Sequence, residues 1–439
     1  MKRLIILASF LSFIPPASAT PAKLFQSACR RNIMLASTPD KIFSPILSDD
    51  RAEDLVDRPD LMVKNLQKMD ELKLRAGQSA DIPWSDSYWP IARGGLGQRY
   101  QDEDVRYLEW KDAFDYIAKN PADVIFRDGD PSILAPSEKY DLMISGAVSG
   151  FTKAQWTEGR DYLETTGRVE GWMGSCHGWA AASMMMKEPK KKTQVTVEGK
   201  NILFYPSDVK GLATGLWAKG GFPMKFIGGR CNLQTPPVDR YNRSRNRSCL
   251  DTNPGTWHMV VVNQIGQSRR PFIMDARSTY EVWNHPVYNY SYSYYNPETN
   301  EGSPTLEKAK VKVGAWNDPR SLVRAENAKW IVGIHMTVDY AVENEPSTEE
   351  HQLSQNSSDE YRYDLELDQN GEIVGGEWYT DHPDFLWVPS PGVFPGGQPV
   401  LLNPDQLTSG QKSAAKKLAL EGKLSGSIVN AIVVRSAKE

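Results

Sequence analysis

The sequence predicts an α+β fold in which helices dominate the first half of the chain and antiparallel strands the second half. Apolar residues recur at helical spacing in several segments before residue 190, whereas alternating segments bounded by tight turns follow it. Helices and strands are thus segregated along the chain instead of alternating with one another. This order is typical of a mixed fold with an antiparallel sheet.

The helices predicted for the first half begin and end at recognisable signals, such as the start after Pro59, the stop at Gly77 and the stop at Asn120. Four of these helices are Leu61–Leu74, Asp104–Asn120, a helix near Ser137–Ser145, and Lys153–Thr165. A fifth helix is predicted directly after Cys176 and ends near Pro189.

The second half contains two hairpin signals, Glu198-Gly199 and Asn370-Gly371, because these residue pairs suit tight turns between strands. Strands are predicted around His258, around Asp275, over Lys329–Val338 and, at the end of the chain, over Ser427–Val434. Two helices are also predicted in this half, from Ser207 to Gly220 and over Ser409–Glu421.

The first 19 residues have the pattern of a secretory signal peptide. Lys2 and Arg3 precede an apolar run too short to span a bilayer, and small residues lead to a cleavage site near Ala19-Thr20. No later segment is apolar enough to span. We therefore expect a secreted protein, extracellular or periplasmic.

The net charge of −4 argues against a nucleic-acid partner, and the basic residues between Arg240 and Arg247 are interpreted as a solvated loop. Cys231 and Cys249 bracket this loop, and a disulfide between them would stabilise the fold by about 3 kcal/mol through the unfolded state. Cys29 then has no partner; it is either a buried, reduced thiol or a disulfide cap on Cys176. No cysteine or histidine spacing predicts a metal site.

Cys176 is the candidate nucleophile. It lies in the run from Gly171 to Met186, in which small residues, including Gly174, leave room for a substrate before a helix begins. A helix N-terminus lowers the pKa of a cysteine, and the thiolate is the reactive form. This placement predicts that Cys176 reacts with iodoacetamide below pH 7.

His258 and Asp275 complete a predicted Cys-His-Asp triad. If their segments form a hairpin centred between Gly266 and Gln267, residue 258 stands directly opposite residue 275, within reach of a hydrogen bond. His177 is the alternative base, although neighbours on a helix do not face each other.

Among the remaining candidates, His285 is interpreted as a turn residue and His335 as a core residue, while Trp172 and Trp257 are candidates for substrate binding or the oxyanion site.

Several motifs together resemble the elicitor-type transglutaminases of oomycetes and marine bacteria, and the resemblance runs from about Trp84 to the C-terminus. Val282–Val287 also resembles the surface peptide by which plants sense the oomycete proteins, although His285 interrupts that pattern and the similarity ends after Val287. The motifs are Trp172–Ala180, Phe204–Asp208, Gly229–Asn232, Cys249–Pro254 and Asp275–Arg277.

The resemblance implies a papain-like catalytic core and protein-glutamine γ-glutamyltransferase activity, with Cys176, His258 and Asp275 at the catalytic positions. It also implies a glutamine-bearing protein substrate, a lysine or other primary amine as donor, and a role for calcium. The pattern along the chain divides it, after the signal peptide, into an N-terminal segment, 20–75, that is a candidate regulatory cover, a catalytic core, 76–345, and a hairpin with a C-terminal extension packed on that core, 346–439.

Two rival functions remain open from the sequence. A secreted papain-like protease, amidase or glutamine deamidase would use the same three residues. A non-catalytic surface elicitor or binding protein could retain the fold with an unreactive Cys176.

Overall fold

A computed structural model describes residues 46–47, 50–147, 150–241, 243–246 and 249–438. The predicted signal peptide and Cys29 lie outside these residues. None of the helices in the described ranges is both long and apolar enough to cross a membrane.

The α-helices cluster in the first half and at the C-terminus, and a π-helical segment, Val261–Gln267, continues one of them. They are α1 (Leu66–Glu71), α2 (Trp110–Lys119), α3 (Ala122–Asp128), α4 (Pro136–Ser145), α5 (Gly150–Thr166), α6 (Cys176–Met185), α7 (Pro206–Lys219), α8 (Pro254–Val260), α9 (Leu306–Ala309), α10 (Ser409–Leu420) and α11 (Gly426–Ser436).

The strands are concentrated after residue 190. They are β1 (Ala76–Gln78), β2 (Thr193–Val197), β3 (Lys200–Phe204), β4 (Met224–Gly228), β5 (Phe272–Asp275), β6 (Asn284–Tyr295), β7 (Gly302–Ser303), β8 (Val311–Lys312), β9 (Trp330–Val342), β10 (Gln355–Leu367), β11 (Ile373–Trp378) and β12 (Phe385–Pro389).

Ten of these strands form one antiparallel sheet with the central order β11-β10-β9-β6-β5-β12-β4, and β2 and β3 pair separately. Alternate residues of a strand point to opposite faces. In β5, Ile273 therefore packs into one hydrophobic core and Met274 into another. In β12, Trp387 and Leu386 divide in the same way.

Each face of the sheet has its own cover. The first core lies between the sheet and helices α4, α5, α6, α7, α10 and α11, and it includes Cys176 and Trp179. The second core is covered by residues of the N-terminal segment, by α8 and by the π-helical segment. The two catalytic candidates Cys176 and His258 therefore belong to elements on opposite faces of the sheet.

Several predicted elements are confirmed. The helices expected near residues 137–145, 153–165 and 409–421 are α4, α5 and α10, and both hairpins form, β2–β3 and β10–β11. α1 and α2 are shorter than predicted. Ser207 lies inside α7, whose N-cap is Tyr205, where the Asp208 carboxylate accepts the Tyr205 N–H at 2.8 Å.

Two predicted strands are wrong. The segment around His258 is helical, since Asn253 caps α8 by accepting the Gly255 N–H at 2.8 Å. The C-terminal segment predicted as Ser427–Val434 is part of α11, which buries Ile428, Val429 and Ile432 against the first core. Both segments are short apolar runs, and such runs do not distinguish a buried strand from a buried helix.

The domain boundaries inferred from the sequence do not match the sheet. Residues 346–439 include β10, and they include β12, which pairs with β5 on one side and β4 on the other. Within the N-terminal segment, Leu55 and Leu66 are fully buried in the second core. These segments are therefore integral to one packed unit.

The predicted disulfide is confirmed. Cys231 and Cys249 are bonded across a separation of 18 residues, with their Cα atoms 4.2 Å apart. The bond closes the arginine-rich loop as expected.

Candidate active site

Cys176 is the first residue of α6 and follows a tight approach of two chain segments. The Ser175 N–H donates to the Tyr88 carbonyl at 2.6 Å. A Cβ atom at Gly174 would lie 2.4 Å from that same carbonyl oxygen, so only glycine fits there. The space at Gly174 was expected to admit substrate, but the Tyr88 backbone fills it.

The Cys176 sulfur has two hydrogen-bonding neighbours from the segment that enters β6. The Asn284 side-chain amide donates to Sγ at 3.4 Å. The thiol in turn donates to the Val282 carbonyl at 3.7 Å. The Asn284 oxygen accepts the Trp387 indole N–H at 2.8 Å, which ties the amide to β12.

Burial controls the ionisation of this thiol. The Cys176 side chain is almost completely enclosed, and this desolvation raises its pKa to about 11. Hydrogen bonds from Asn284 lower the pKa, while the nearby carboxyl groups of Glu343 and Asp275 raise it further. Because burial outweighs the helix end, the prediction of a low-pKa thiolate is wrong for this conformation. The thiol is protonated at neutral pH, and its activation requires a base.

Asp275 lies on the same face of the sheet as Cys176. It ends β5 directly opposite Asn284, and directly opposed residues of paired strands project from the same face. One carboxylate oxygen accepts the Trp283 N–H at 2.9 Å, and the other has no hydrogen-bond partner among the described residues. Burial raises the pKa of Asp275 well above its usual value. Asp275 therefore holds the segment that carries Asn284, and no histidine bonds to it.

His258 lies on the opposite face, in the second core. Its Nδ1 is 2.8 Å from the Tyr363 hydroxyl, and its ring centroid is 4.7 Å from that of Tyr292. The predicted hairpin does not exist, since Asp275 pairs with Asn284 instead. The structure thus brings Cys176 and Asp275 to one face but leaves His258 behind the sheet.

His177, the alternative base, lies beside Lys219 and Glu158, which form an ion pair at 2.7 Å. Burial lowers the pKa of His177 to about 4.

His285 was interpreted from the sequence as a turn residue, but it lies in β6. It follows Asn284 in β6 and pairs with Met274, so its Cβ leaves the strand on the face opposite to Asn284. Its ring still comes to 6.2 Å, centroid to centroid, from Trp179, which lies three residues beyond Cys176 on α6. Its Nε2 is 3.1 Å from a Glu343 carboxylate oxygen. Its Nδ1 is buried without a hydrogen-bond partner in the described ranges.

A strand signal could have identified His285. Asn284 and His285 begin β6, and Glu343 follows the last residue of the paired strand β9, Val342. Reading Trp283-Asn284-His285-Pro286 as a turn concealed this pairing. A buried histidine with one nitrogen on a carboxylate and the other unsatisfied is suited to proton transfer.

The two tryptophans predicted to line the site divide between the faces. Trp172 is partly exposed and contacts the Tyr280 ring edge-on at 5.8 Å. Tyr88 and Trp283 form a similar pair at 5.4 Å. Trp257 instead packs in the second core, with Phe272 at 5.9 Å. The partly exposed aromatic residues near the site are therefore Trp172, Tyr280, Tyr88 and Trp283.

No group of three or more histidine, cysteine, aspartate or glutamate side chains in the described ranges is arranged to hold a metal ion. The role of calcium that the resemblance implies stays a prediction.

A family model described as transglutaminase elicitor matches residues 60–393. Comparison with curated proteins finds no match. Among solved structures, the GP42 transglutaminase from Phytophthora sojae is similar at 20% sequence identity, covering 82% of this chain and 94% of that chain, with a TM-score of 0.49. A likeness at that level supports neither an activity nor any site residue.

Proposed function

Because the chain belongs to the transglutaminase elicitor family, we propose that it is a secreted protein-glutamine γ-glutamyltransferase that uses Cys176 as its nucleophile. The proposed substrates are a glutamine side chain of a protein and a lysine or other primary amine. The Cys231–Cys249 disulfide supports an oxidising, extracellular location.

We assign the base to His285 and its orienting acid to Glu343. The observation that carries this assignment is the His285–Glu343 contact at 3.1 Å, together with the edge-on contact at 6.2 Å between the His285 ring and Trp179 of the helix that begins with Cys176. Nδ1 is the nitrogen without a hydrogen-bond partner among the described residues, and Glu343 lies near enough to Cys176 to raise the pKa of its thiol. His285 stands where the chain departs from the oomycete peptide, so the assignment rests on geometry and not on the resemblance.

The proposed reaction has two halves. His285 removes the thiol proton, and the thiolate attacks the carboxamide carbon of glutamine. The imidazolium, stabilised by Glu343, then protonates the departing ammonia and leaves a γ-glutamyl thioester. In the second half, His285 takes a proton from the incoming amine, which displaces the thiol and forms an isopeptide bond. A nucleophile at a helix start and a base on an adjacent strand would make this a papain-like core.

The route to the sulfur is proposed to pass between the two aromatic pairs, Trp172–Tyr280 and Tyr88–Trp283. Tyr280 and Trp283 belong to the segment 276–283, which also supplies the Val282 carbonyl to the thiol. Substrate entry would therefore require this segment to move away from Cys176.

The test is incorporation of a fluorescent primary amine into a glutamine-bearing protein, with and without added calcium. The wild-type chain is expected to incorporate the amine and release ammonia. Cys176→Ser and His285→Ala are expected to lose at least about 100-fold in rate, since a general base contributes about 10²–10⁴-fold. His258→Gln is the matched control and is expected to retain activity, because His258 lies on the other face.

Other outcomes select the rival functions. Ammonia release without amine incorporation would indicate a deamidase, and new peptide termini would indicate a protease. A wild-type chain with none of these activities would contradict the proposal and favour a non-catalytic elicitor. Loss of activity in His258→Gln but not in His285→Ala would overturn the choice of base.

A further inference from the structure

The side-chain amide of Asn284 has only one orientation compatible with its neighbours. The Trp387 indole N–H can only donate a hydrogen bond, so the Asn284 oxygen faces it, at 2.8 Å. The Asn284 nitrogen consequently faces Cys176, 3.4 Å from Sγ. An N–H donor is thus aimed at the atom that would attack the substrate.

This donor is held rigidly. Asn284 and Trp387 are each only 1% exposed. Asn284 begins β6 opposite Asp275, and Trp387 lies in β12, which is hydrogen-bonded to β5 and β4 on its two sides. A buried amide is costly unless both of its ends are bonded, and here its partners are an indole and a thiol. The arrangement fixes a hydrogen-bond donor before any substrate arrives.

The start of α6 offers a second donor. The first backbone N–H groups of a helix have no partner within the helix. The N–H of Cys176 is the first of these in α6, and it lies next to the reacting sulfur. Two donors therefore converge on the region around Sγ, one from the helix and one from the sheet.

We propose that the Asn284 side-chain N–H and the Cys176 backbone N–H form the oxyanion hole, and that Trp387 is the residue that positions Asn284. This inference deepens the proposed function and rests on it. When the thiolate adds to the carboxamide carbon, a C–S bond forms and the C=O π electrons move to oxygen. That oxygen is two bonds from the sulfur, within reach of the Asn284 N–H. Collapse of the intermediate restores C=O and expels ammonia, which carries a proton from the His285 imidazolium.

Removing one oxyanion donor typically lowers kcat by about 10²–10³-fold. Asn284→Ala should show this loss with little change in KM, since the donor acts mainly on the transition state. Trp387→Phe keeps an aromatic ring but removes the indole N–H, so the Asn284 amide can rotate. A smaller loss of kcat, about tenfold, is therefore expected. Trp217→Phe is the matched control, because Trp217 is buried in the same core and its indole N–H has no hydrogen-bond partner in the described ranges.

A second measurement separates this role from an effect on the thiol alone. A peptide aldehyde that mimics glutamine forms a tetrahedral adduct with Cys176, whereas the matching alcohol does not. Asn284→Ala is expected to weaken the aldehyde by about 10²-fold and leave alcohol binding unchanged. Alkylation of Cys176 by iodoacetamide, followed against pH, reports the thiol pKa and should account for only a minor part of the loss.

The outcomes are distinguishable from those of the proposed function. An inactive wild-type chain would reject the transferase, while the ratio of aldehyde to alcohol binding would still test Asn284. A folded Asn284→Ala variant with kcat within threefold of wild type would overturn the inference. A loss of kcat that slower alkylation of Cys176 fully explains would also overturn it. Equal losses of kcat in Trp387→Phe and Trp217→Phe would do the same.

Discussion

The imidazole of His258 is buried without a charged partner. It is completely buried, and its only hydrogen bond in the described ranges links Nδ1 to the Tyr363 hydroxyl at 2.8 Å. Burial lowers the pKa of His258 to about 3, from 6.5 in the exposed state. Its role in the structure is therefore that of a neutral packing residue.

This depressed pKa predicts a loss of stability in acid. As pH falls below about 6.5 the unfolded chain binds a proton at His258, whereas the folded chain does not until about pH 3. The folded state consequently loses about 1.4 kcal/mol per pH unit within this window. Replacing His258 by Gln should remove about 2 kcal/mol of the difference in unfolding free energy between pH 7 and pH 5, as measured by urea denaturation.

Other groups titrate over the same range, so the comparison uses the difference between the wild-type chain and His258→Gln at each pH. Equal acid sensitivity of the two proteins would contradict the assignment. It would mean that His258 becomes protonated in the folded state, which is expected of an accessible base and not of a packing residue.

At the scale of elements, α6 is held in place by its close contact with α7. Gly178 lies two residues after Cys176, and a Cβ atom there would come within 2.3 Å of the Thr214 carbonyl oxygen and 2.7 Å of the Ala218 nitrogen. The contact is with the backbone, which cannot move aside as a flexible side chain can. The position of the nucleophile thus depends on how closely two helices approach.

We therefore expect Gly178→Ala to be destabilising despite the higher helix propensity of alanine. Alanine favours the helix by about 1 kcal/mol, but forcing an extra group into a packed contact costs about 1–3 kcal/mol or more. Amine incorporation should fall as well, because Cys176 shifts with α6. Gly410→Ala, in α10, is the control, since the nearest atom to its new Cβ is 3.9 Å away.

The measurements are the unfolding midpoint in urea and the rate of amine incorporation. A Gly178→Ala protein as stable and as active as Gly410→Ala would show that the two helices can separate without cost.

At the scale of the whole molecule, residues 46–75 complete the second core. Leu55, Val56, Leu66 and Met69 are fully buried there. The carboxylate of Asp57 accepts hydrogen bonds from Arg270 and Gln264, each at 2.7 Å. This part of the N-terminal segment is therefore part of the core and not a removable cover. The predicted disulfide between Cys29 and Cys176 stays a prediction, because Cys29 lies outside the described ranges.

We predict that a chain beginning at residue 76 is far less stable than one beginning at residue 46. Each fully buried Leu, Val or Met side chain contributes about 1.5–3 kcal/mol. Losing four of them approaches the whole free energy of unfolding of a typical domain, about 5–15 kcal/mol. Urea unfolding and binding of a hydrophobic dye should both reveal the loss. Superimposable urea curves for the two chains would restore the earlier interpretation of a dispensable segment.

Residues close together in the chain were sufficient to predict several structural features. The helical spacing in residues 137–165, the Asn370-Gly371 turn and the Cys231–Cys249 pair all depend on residues close in the chain, and each is confirmed. The helix that begins at Cys176 is likewise set by neighbouring residues. In these cases the physical cause lies within a few turns or one closed loop.

Only the tertiary structure decided where each histidine lies relative to Cys176. His258 and Asp275 are near in sequence, but the α-helical path after Asn253 carries His258 to one face of the sheet while the end of β5 leaves Asp275 on the other. The pairing of β6 with β9 brings His285 beside Glu343, 58 residues away in the chain. The pKa of Cys176 is likewise decided by how completely distant segments enclose it, because desolvation depends on the packed surroundings and not on neighbouring residues in the chain.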